Sequence, residues 1–364
     1  MSAGMIIGGV AGAAIGFSMG GPVGAYYGAT IGMAIGGAYD YSQSGGSDLG
    51  KPQLQDLVLP TASEGLPIPD ALGTTKVTGN FLWYGKPRVE EVRETPDGAK
   101  GGDSKVTTGY EYYLSFALGI LQGPVDTLYT IFADDKIEWS GVLSRPASGG
   151  MATVTTDNGT IYFYFGTDDQ AVNSDMAAEL EMVLELEPGS CPAYRHLCYA
   201  YFADYMIGSY NRCPAIRFLI RKVPEQSFNQ YHAYHRNYNP AHALKYIICD
   251  MVGLPDSYIN NTSFSNSADT LYDNGSNLSA RSVSILFDKS APAIRYIESL
   301  MLHINFIVRY NSQAELEMIL IRKDQAIENL PVITADDLLS DPDVNRKDII
   351  DTHNAVKIEY SHRY

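Results

Sequence analysis

Residues 153–165 read TVTTDNGTIYFYF, and this stretch decides the fold class. Residues 153–156 and 160–165 are rich in the β-branched and aromatic side chains that favour strands. Between them stands Asp157-Asn158-Gly159, a typical sequence for a tight turn. Two strand-forming runs joined by such a turn predict a β-hairpin, so we expect an antiparallel sheet in this part of the chain.

Similar strand segments flank the hairpin on both sides. Strands are predicted at residues 76–84 (with an irregularity at Gly79-Asn80), 88–94, 107–119, 128–139 (two strands around a turn at Asp134-Asp135), 194–201 and 215–223. The stretch 95–103 reads TPDGAKGGD and predicts a turn or a hairpin tip. This spacing of short strands is typical of an antiparallel β-sandwich or β-barrel, which we place within residues 54–230.

The C-terminal part, residues 239–364, mixes helices with strands. Asn239-Pro240 predicts a helix start, with Asn as the N-cap and Pro at the first helical position, and Gly253 predicts the helix end. Residues 257–279 are polar and predict a surface excursion or a lid-like loop. The remaining predicted elements are a helix at 292–303, a hairpin of 305–310 and 315–322, a short helix at 336–339 and a strand at 349–360. We therefore expect a smaller α+β module here.

Glycines near the N-terminus recur every four residues, at Gly8, Gly12, Gly16, Gly20, Gly24, Gly28, Gly32 and Gly36. On a helix this spacing forms one stripe against which another backbone can pack closely. Pro22 predicts a kink or a hairpin between two helical halves of the segment 1–38, and residues 39–53 read as a linker. Two interpretations stay open. In the first, the segment forms an oligomeric, glycine-packed bundle that enters or contacts a membrane. In the second, it docks permanently in a protein channel or stays poorly ordered.

The charge balance excludes some classes of protein. The 364 residues include 42 Asp and Glu against 26 Lys and Arg, which gives a net charge of -16. This acidic excess argues against a protein that wraps nucleic acid through its surface. The apolar content of 45% is too high for a disordered chain. The N-terminus has no basic segment before its apolar run, so it is not a conventional signal peptide, and synthesis in a reducing cytoplasm is expected.

The cysteines and histidines match no strong pattern for a metal site. The four cysteines are Cys191, Cys198, Cys213 and Cys249. Free, buried thiols are expected, and a Cys191–Cys213 disulfide is the alternative. The histidines His232, His235 and His242 are spaced like ligands but lack a regular helix with a catalytic Glu, so a polar linker is the preferred interpretation.

Motifs for catalysis are missing from the sequence as well. The adjacent pairs Asp134-Asp135 and Asp336-Asp337 are explained by a turn and a helix start. The chain has no P-loop, no nucleophile elbow and no dinucleotide fingerprint. We therefore expect a protein that is not an enzyme and that holds no cofactor and no metal.

A set of ordered motifs carries a family resemblance over about residues 50–250. The motifs are GTTKVTGNFLW at 73–83, YYLSFALG at 112–119 followed by Gly123-Pro124-Val125, IFAD at 131–134, Gly166-Thr167 with Gln170 and Asp175, PAYRHL at 192–197, and NRCP at 211–214 with Phe218. Together they resemble the hub proteins of tailed-bacteriophage tails, the baseplate hub or central tail-tip proteins, which gene transfer agents also have. The chain departs from the family pattern in three places: Gln122 replaces a Glu, His196 replaces a Gly, and residues 208–212 read GSYNR where the family has Phe-Gly-Asn-Arg.

The resemblance implies a mainly β, α+β fold, in which a tail-tube-like barrel or sandwich is joined to the smaller α+β module behind a glycine-rich helical segment. It implies structural roles for the motif residues Gly79, Asn80, Trp83, Gly123, Pro124, Asp134, Pro192, Tyr194, Arg195, Asn211 and Arg212. It also implies a homotrimer in the virion, at the distal end of the tail, that closes the tail tube and anchors tip or fibre proteins.

The partners implied by the resemblance are distal tail or tail-tube proteins, the C-terminus of the tape-measure protein, and tail fibre or tip proteins. The eight ladder glycines would pack in the lumen as a plug, or contact the host membrane transiently during DNA ejection. No specific nucleic-acid binding is expected, although DNA would pass through the lumen. The alternatives are a membrane-active, pore-forming protein with a β receptor-binding domain, and a tail-associated cell-wall hydrolase.

Overall fold

A computed structural model describes residues 67–94, 106–185, 187–209, 212–224, 233–234, 237–272, 281–321, 332 and 334. The predicted glycine ladder, the linker at 39–53, the turn at 95–103, the helix at 336–339 and the strand at 349–360 lie outside these residues. So do Asn211, His232 and His235. In the part described, the protein has the predicted α+β, mainly β fold.

Strands are the largest part of the described chain, with 46% of its residues in strands and 22% in helices. The strands are β1 Asp70–Thr78, β2 Asn80–Tyr84, β3 Arg88–Glu94, β4 Val106–Gln122, β5 Thr127–Ala133, β6 Lys136–Ser144, β7 Met151–Thr156, β8 Gly159–Tyr164, β9 Leu197–Gly208, β10 Ile216–Lys222, β11 Ala233–Tyr234, β12 Asn237–Tyr238, β13 Ile285–Phe287, β14 Phe306–Tyr310 and β15 Leu316–Leu320. The helices are α1 Ser174–Leu184, α2 Pro240–Lys245, α3 Asn261–Leu271 and α4 Ala293–Ile304, with a π-helical turn at Tyr246–Met251 and a 3-10 turn at Asp256–Tyr258.

Two larger sheets contain the core strands. One has the order β13-β1-β10-β5-β6, and the other has the order β2-β4-β9-β8-β7, with β3 also paired to β4. Every pairing between named strands that the structure defines is antiparallel, as the hairpin at residues 153–165 predicted. Phe163 of β8 and Phe218 of β10 contact each other between the sheets, with ring centroids 6.2 Å apart. Within the described residues neither sheet closes into a barrel, so the open, sandwich-like alternative describes the fold.

Gly79 is the point at which the chain passes from one sheet to the other. β1 ends at Thr78 and β2 begins at Asn80, so the irregularity predicted at Gly79-Asn80 is a break between two strands. A Cβ atom at Gly79 would lie 2.9 Å from the Cβ atom of Leu118. That separation is shorter than normal carbon contacts, so the crossing needs a residue without a side chain.

The chain divides into two compact units. The described part of the first unit consists of residues within 86–115 and 204–213. In it, the guanidinium of Arg88 donates to both carboxylate oxygens of Asp204, at 2.6 and 3.2 Å, and lies 4.1 Å from the ring centroid of Tyr113. The second unit contains the other described residues. The division at residues 54–230 and 239–364 remains a prediction.

Residues 257–279 were expected to be a loop, and this expectation is wrong for residues 261–271, which form α3. The side chains of Phe264, Ala268 and Leu271 are fully buried on one face of α3. Asn260 caps the helix, because its side chain accepts a hydrogen bond from the Ser263 N–H at 2.9 Å. The segment is mostly polar, and its apolar residues are few, at positions i, i+4 and i+7. These few residues are sufficient to stabilise a helix when they pack against a core.

The helix predicted after Asn239 is present, and its cap has the expected geometry. The side chain of Asn239 accepts from the Ala241 N–H at 3.0 Å, and Pro240 occupies the first turn. α1 was not predicted from the sequence, although Asn173 caps it in the same way. No helix in the described part of the chain has both the length and the apolar character needed to cross a membrane.

Candidate functional site

Three of the resemblance motifs meet around one buried glutamine. We call this place the Gln170 junction and define it as residues 122–125, 165–170 and 192–197. Gln170 has no exposed surface. Its amide oxygen accepts from the Gly166 N–H at 2.9 Å, and its amide nitrogen donates to the carbonyls of Ala193 and Tyr194 at 2.9 and 2.8 Å. One side chain therefore joins two loops that lie 23 or more residues apart in sequence.

The glycines at this junction allow two backbones to touch. A Cβ atom at Gly123 would lie 2.6 Å from both the Cα atom and the carbonyl oxygen of Gly166. The Gly123 N–H donates to the carbonyl of His196 at 2.7 Å, and the Val125 N–H donates to the carbonyl of Phe165 at 2.9 Å. The motif residues Gly123 and Pro124 thus bring a third chain segment into the junction.

The PAYRHL loop holds two residues in the left-handed backbone region. Tyr194 has φ of 47° and His196 has φ of 65°. Such a conformation costs a residue with a side chain about 1–2 kcal/mol, and glycine adopts it freely. His196 is the position at which the resembling pattern has Gly, so this departure places a strained residue in the loop. The imidazole Nδ1 of His196 lies 3.1 Å from a carboxylate oxygen of Asp168 at the surface.

Hydrogen bonds from both sides support this strained loop. The guanidinium of Arg195 donates to the carbonyl of Gln170 at 3.4 Å, and the Leu197 N–H donates to the carbonyl of Tyr194 at 3.1 Å. Pro192 precedes the loop, next to the buried residue Cys191. The motif residues Pro192, Tyr194 and Arg195 therefore belong to the junction, as Gly123 and Pro124 do.

An aromatic cluster lies beside the junction. The rings of Tyr164 and Tyr199 stack with centroids 4.3 Å apart and an interplanar angle of 3°, and Tyr194 meets Tyr199 edge-on at 5.3 Å. Trp83, the tryptophan of the first motif, belongs to the same core and lies 6.4 Å from the Tyr201 ring. Burial raises the pKa of Tyr199 far above the ordinary value of a phenol.

The other motif residues lie elsewhere and support turns and strands. Asn80 pairs with Gly119 between β2 and β4. Asp134 occupies the turn between β5 and β6 with φ of 52°, and its carboxylate accepts from the Ala215 N–H at 3.0 Å. Arg212 is exposed. The sequence motifs therefore map onto one junction and several isolated structural positions, and they do not form one cleft.

A buried ion pair that sequence reasoning missed connects β1, β10 and the π-helical turn. The Lys222 ammonium donates to one carboxylate oxygen of Asp70 and to the carbonyl of Gln122 at 3.0 Å. The hydroxyl of Tyr246 donates to the other oxygen of Asp70 at 2.7 Å. Burial and the nearby Asp70 carboxylate raise the pKa of Tyr246. Every member of this cluster has a polar partner, which is the condition for tolerating buried charge.

The described thiols and histidines form neither a disulfide nor a metal-binding group. None of the four cysteines forms a disulfide, so the Cys191–Cys213 alternative is wrong. The expected burial is confirmed for Cys191, Cys198 and Cys213, whereas Cys249 is half-buried. Burial raises the pKa of Cys198 well above its ordinary value, despite the opposing effect of the nearby Lys222. Among the residues that the structure describes, no group of three or more His, Cys, Asp or Glu side chains could hold a metal ion.

Comparisons with known proteins give little further identification. No family model matches the chain, and no curated protein matches it. One solved structure that is similar is described as "Virion of native gene transfer agent (GTA) particle". A chain of that particle shares 17% identity with this protein at a TM-score of 0.43, and the match covers 79% of this chain and 63% of that chain. This protein thus spans less than two thirds of the length of that virion component.

Proposed function

We propose that this protein is a structural component of a phage-like particle and that it acts as the hub of the tail tip. The observation that carries this proposal is the Gln170 junction. Motifs resembling those of tail hubs are separate in sequence, and they meet where backbone packs directly against backbone. Gly123 and Gly166 leave no room for side chains, and Gln170 uses its whole amide to join carbonyls and an N–H.

The junction favours a framework role over a catalytic role. The Gln170 amide is used by internal hydrogen bonds with the Gly166 N–H and with the carbonyls of Ala193 and Tyr194, so it is not available to a substrate. Its backbone is held in a strained conformation at Tyr194 and His196 by packing and hydrogen bonds. A junction of this kind fixes the relative positions of three loops, and a rigid adaptor in a symmetric particle needs that property.

The finer parts of the proposal concern assembly. Three copies would close the distal end of the tail tube, with the eight ladder glycines gathered on the threefold axis as a plug of the lumen. The tape-measure C-terminus, tail-tube proteins and tail fibre proteins would then be its partners. The net charge of -16 supports a passage for DNA, because an acidic wall repels the genome and keeps it from adhering.

The test is to locate the protein in assembled particles. An epitope tag on the full chain, decorated with antibody and viewed by electron microscopy, should mark the tail tip and no other part of the particle. Label on the head, or no label on purified particles, would contradict the hub proposal. Mass measurement of the purified chain under native conditions should give three copies, and a stable monomer would remove the threefold assembly.

One further measurement separates the hub from the pore-forming alternative. If the chain is a hub, the purified protein should not release dye from liposomes. Leakage that disappears in the variants Gly20→Leu and Gly24→Leu would favour a membrane-active protein, because leucine on the glycine stripe prevents close helix packing. Turnover of peptidoglycan by the purified chain would instead favour the hydrolase alternative.

A further inference from the structure

We propose that a groove between α4 and β1 binds an extended, carboxylate-bearing peptide segment of a partner protein, which adds as a strand to β1. The groove has a volume of about 560 Å³, within the usual range for ligand sites. Its walls include Thr74, Thr75 and Lys76 of β1, Ser284 before β13, and Ser299 and His303 of α4. The site is a property of the single chain, so this proposal goes beyond the hub role and does not depend on it.

Among the strands that the structure describes, none pairs with the second half of β1 on the edge next to the groove. β13 pairs with β1 only from Asp70 to Leu72. Beyond Leu72, this edge of β1 pairs with no strand that the structure describes, while β10 occupies the opposite edge as far as Thr78. An exposed strand edge is a template for strand addition, and extended peptides commonly bind in this way.

The direction of the backbone groups follows from two hydrogen bonds. The Thr74 N–H donates to the hydroxyl of Ser284 at 3.1 Å, on the side away from β10. The Gly79 N–H donates to the carbonyl of Ile216, on the side of β10. Because these directions alternate along a strand, the N–H and C=O groups of Lys76 and the N–H of Thr78 point toward the open edge. They can form the ladder that an added strand needs.

Two cationic side chains without an ion-pair partner among the described residues favour an acidic partner. Lys76 and Arg221 form no ion pair with any residue in the described ranges, although the whole chain carries a net charge of -16. Arg221 lies directly opposite Thr74 in the pairing of β1 with β10, so both side chains share one face of the sheet. Arg221 is only partly exposed, and its Nε atom is buried with no hydrogen-bond partner among the described residues. A partly buried guanidinium without an anion is unfavourable, and an incoming carboxylate would correct this.

The groove walls support the same assignment. None of the twelve residues that line the groove is Asp or Glu, and five of them are Thr or Ser. The hydroxyl of Thr75 is buried and has no hydrogen-bond partner in the part of the chain that is described. The Lys76 ammonium lies 3.8 Å from the ring centroid of Phe132 in β5, on the face of the sheet that Lys76 shares with Arg221. Arg221 does not itself line the groove. Hydroxyls in the groove, together with cations on this adjoining face of the sheet, suit a peptide that alternates acidic with small or apolar side chains.

Peptide binding to the full chain tests the proposal. The probe is a fluorescent peptide of about six residues that alternates Glu with Val, which is long enough to span the open edge at ~3.3 Å per residue. Fluorescence anisotropy should show it binding at least about tenfold more tightly than the same peptide with Lys in place of Glu, with an advantage that falls as salt rises. Equal affinity for the two peptides would overturn the proposal.

Substitutions locate the site. Arg221→Gln and Lys76→Gln should each weaken binding of the acidic peptide about threefold or more. Lys136→Gln, which removes a lysine from the far edge strand of the same sheet, should leave it unchanged. Thr78→Pro removes an N–H that points toward the open edge and that β10 does not use. It should weaken the binding of both peptides equally while leaving the thermal unfolding temperature of the chain unchanged. An unchanged affinity in Arg221→Gln, or tighter binding of a single-stranded oligothymidine than of the acidic peptide, would overturn the assignment.

Discussion

The variant Gln170→Met removes the amide at the centre of the Gln170 junction while keeping the length of the side chain. Methionine is unbranched and apolar, so it fills the same space without donating or accepting strong hydrogen bonds. The Gly166 N–H and the carbonyls of Ala193 and Tyr194 then lose their amide partner. Gln170 has no exposed surface, whereas Ala193 and Tyr194 are half-buried.

The expected loss follows from these three contacts. A buried hydrogen bond contributes about 1 kcal/mol net, and a buried polar group left without a partner costs about 1–3 kcal/mol. The Tyr194 carbonyl keeps the Leu197 N–H as a partner, so two groups, the Gly166 N–H and the Ala193 carbonyl, are left without one. Two such groups give a loss of about 2–4 kcal/mol in the free energy of unfolding. A loss of this size is a large part of the stability of an ordinary domain.

Urea unfolding followed by tryptophan fluorescence measures this loss. Trp83 is buried in the aromatic cluster that contains Tyr194, so it reports on the unit in which the junction lies. The matched control is Gln313→Met, at an exposed position of the β14–β15 hairpin, which should change stability by less than about 0.5 kcal/mol. A loss below about 1 kcal/mol in Gln170→Met, with an unchanged dependence on urea, would refute the structural importance given to the junction.

Four further variants or conditions follow from the same structure. Gly123→Ala should destabilise the chain by about 1–3 kcal/mol in urea unfolding, because its Cβ would lie 2.6 Å from the facing glycine backbone. His196→Gly should raise stability by about 0.5–1 kcal/mol in the same assay, because it relieves a φ of 65° and removes only an exposed contact with a carboxylate. Asp70→Asn should cost about 3–5 kcal/mol, because Lys222 stays buried and unpaired, and adding Lys222→Met should recover part of that loss. The raised pKa of Tyr199 means that the unfolded chain releases its proton first, so stability should be constant below about pH 9 and fall above about pH 10, less steeply in Tyr199→Phe.

Local sequence signals were sufficient for most strands and for two helices. The hairpin at residues 153–165 became β7 and β8, and the turn at Asp134-Asp135 separates β5 from β6. Residues 88–94 form β3 with the predicted bounds. Turn residues and β-branched runs act within a few positions of each other, so their signal is present in the sequence itself.

The arrangement of the sheets could not be obtained in this way. β1 lies between β10 and β13, and both partners come from distant parts of the chain. No local pattern encodes which strands pair, since pairing depends on how whole faces bury each other. The helix α3 was missed for a related reason, because its few apolar residues matter only where a core receives them.

The sequence predicted some residues of the candidate site but not their arrangement. Gly123, Pro192 and Tyr194 were singled out through the resemblance, but nothing in the sequence shows that they meet at Gln170. The ion pair of Asp70 with Lys222 joins residues 152 positions apart, and neither flanking sequence marks it. Lys222 has the same strand parity as the apolar residues Ile216, Phe218 and Ile220 of β10, and a lysine at such a core-facing position is a signal that could have prompted a search for a buried acid.

The position of β1 next to β13 also affects how the protein forms during translation. Asp70 pairs with Phe287, so the two residues are separated by 287 − 70 = 217 positions. At about 5–20 residues per second, the ribosome needs roughly 10–40 s to supply the second strand after the first has emerged. During that interval the edge of β1 that faces Phe287 is exposed on the nascent chain. Because this pairing forms late, folding depends on the order in which the strands are synthesised. It also depends on any chaperone that covers β1 until the second strand arrives.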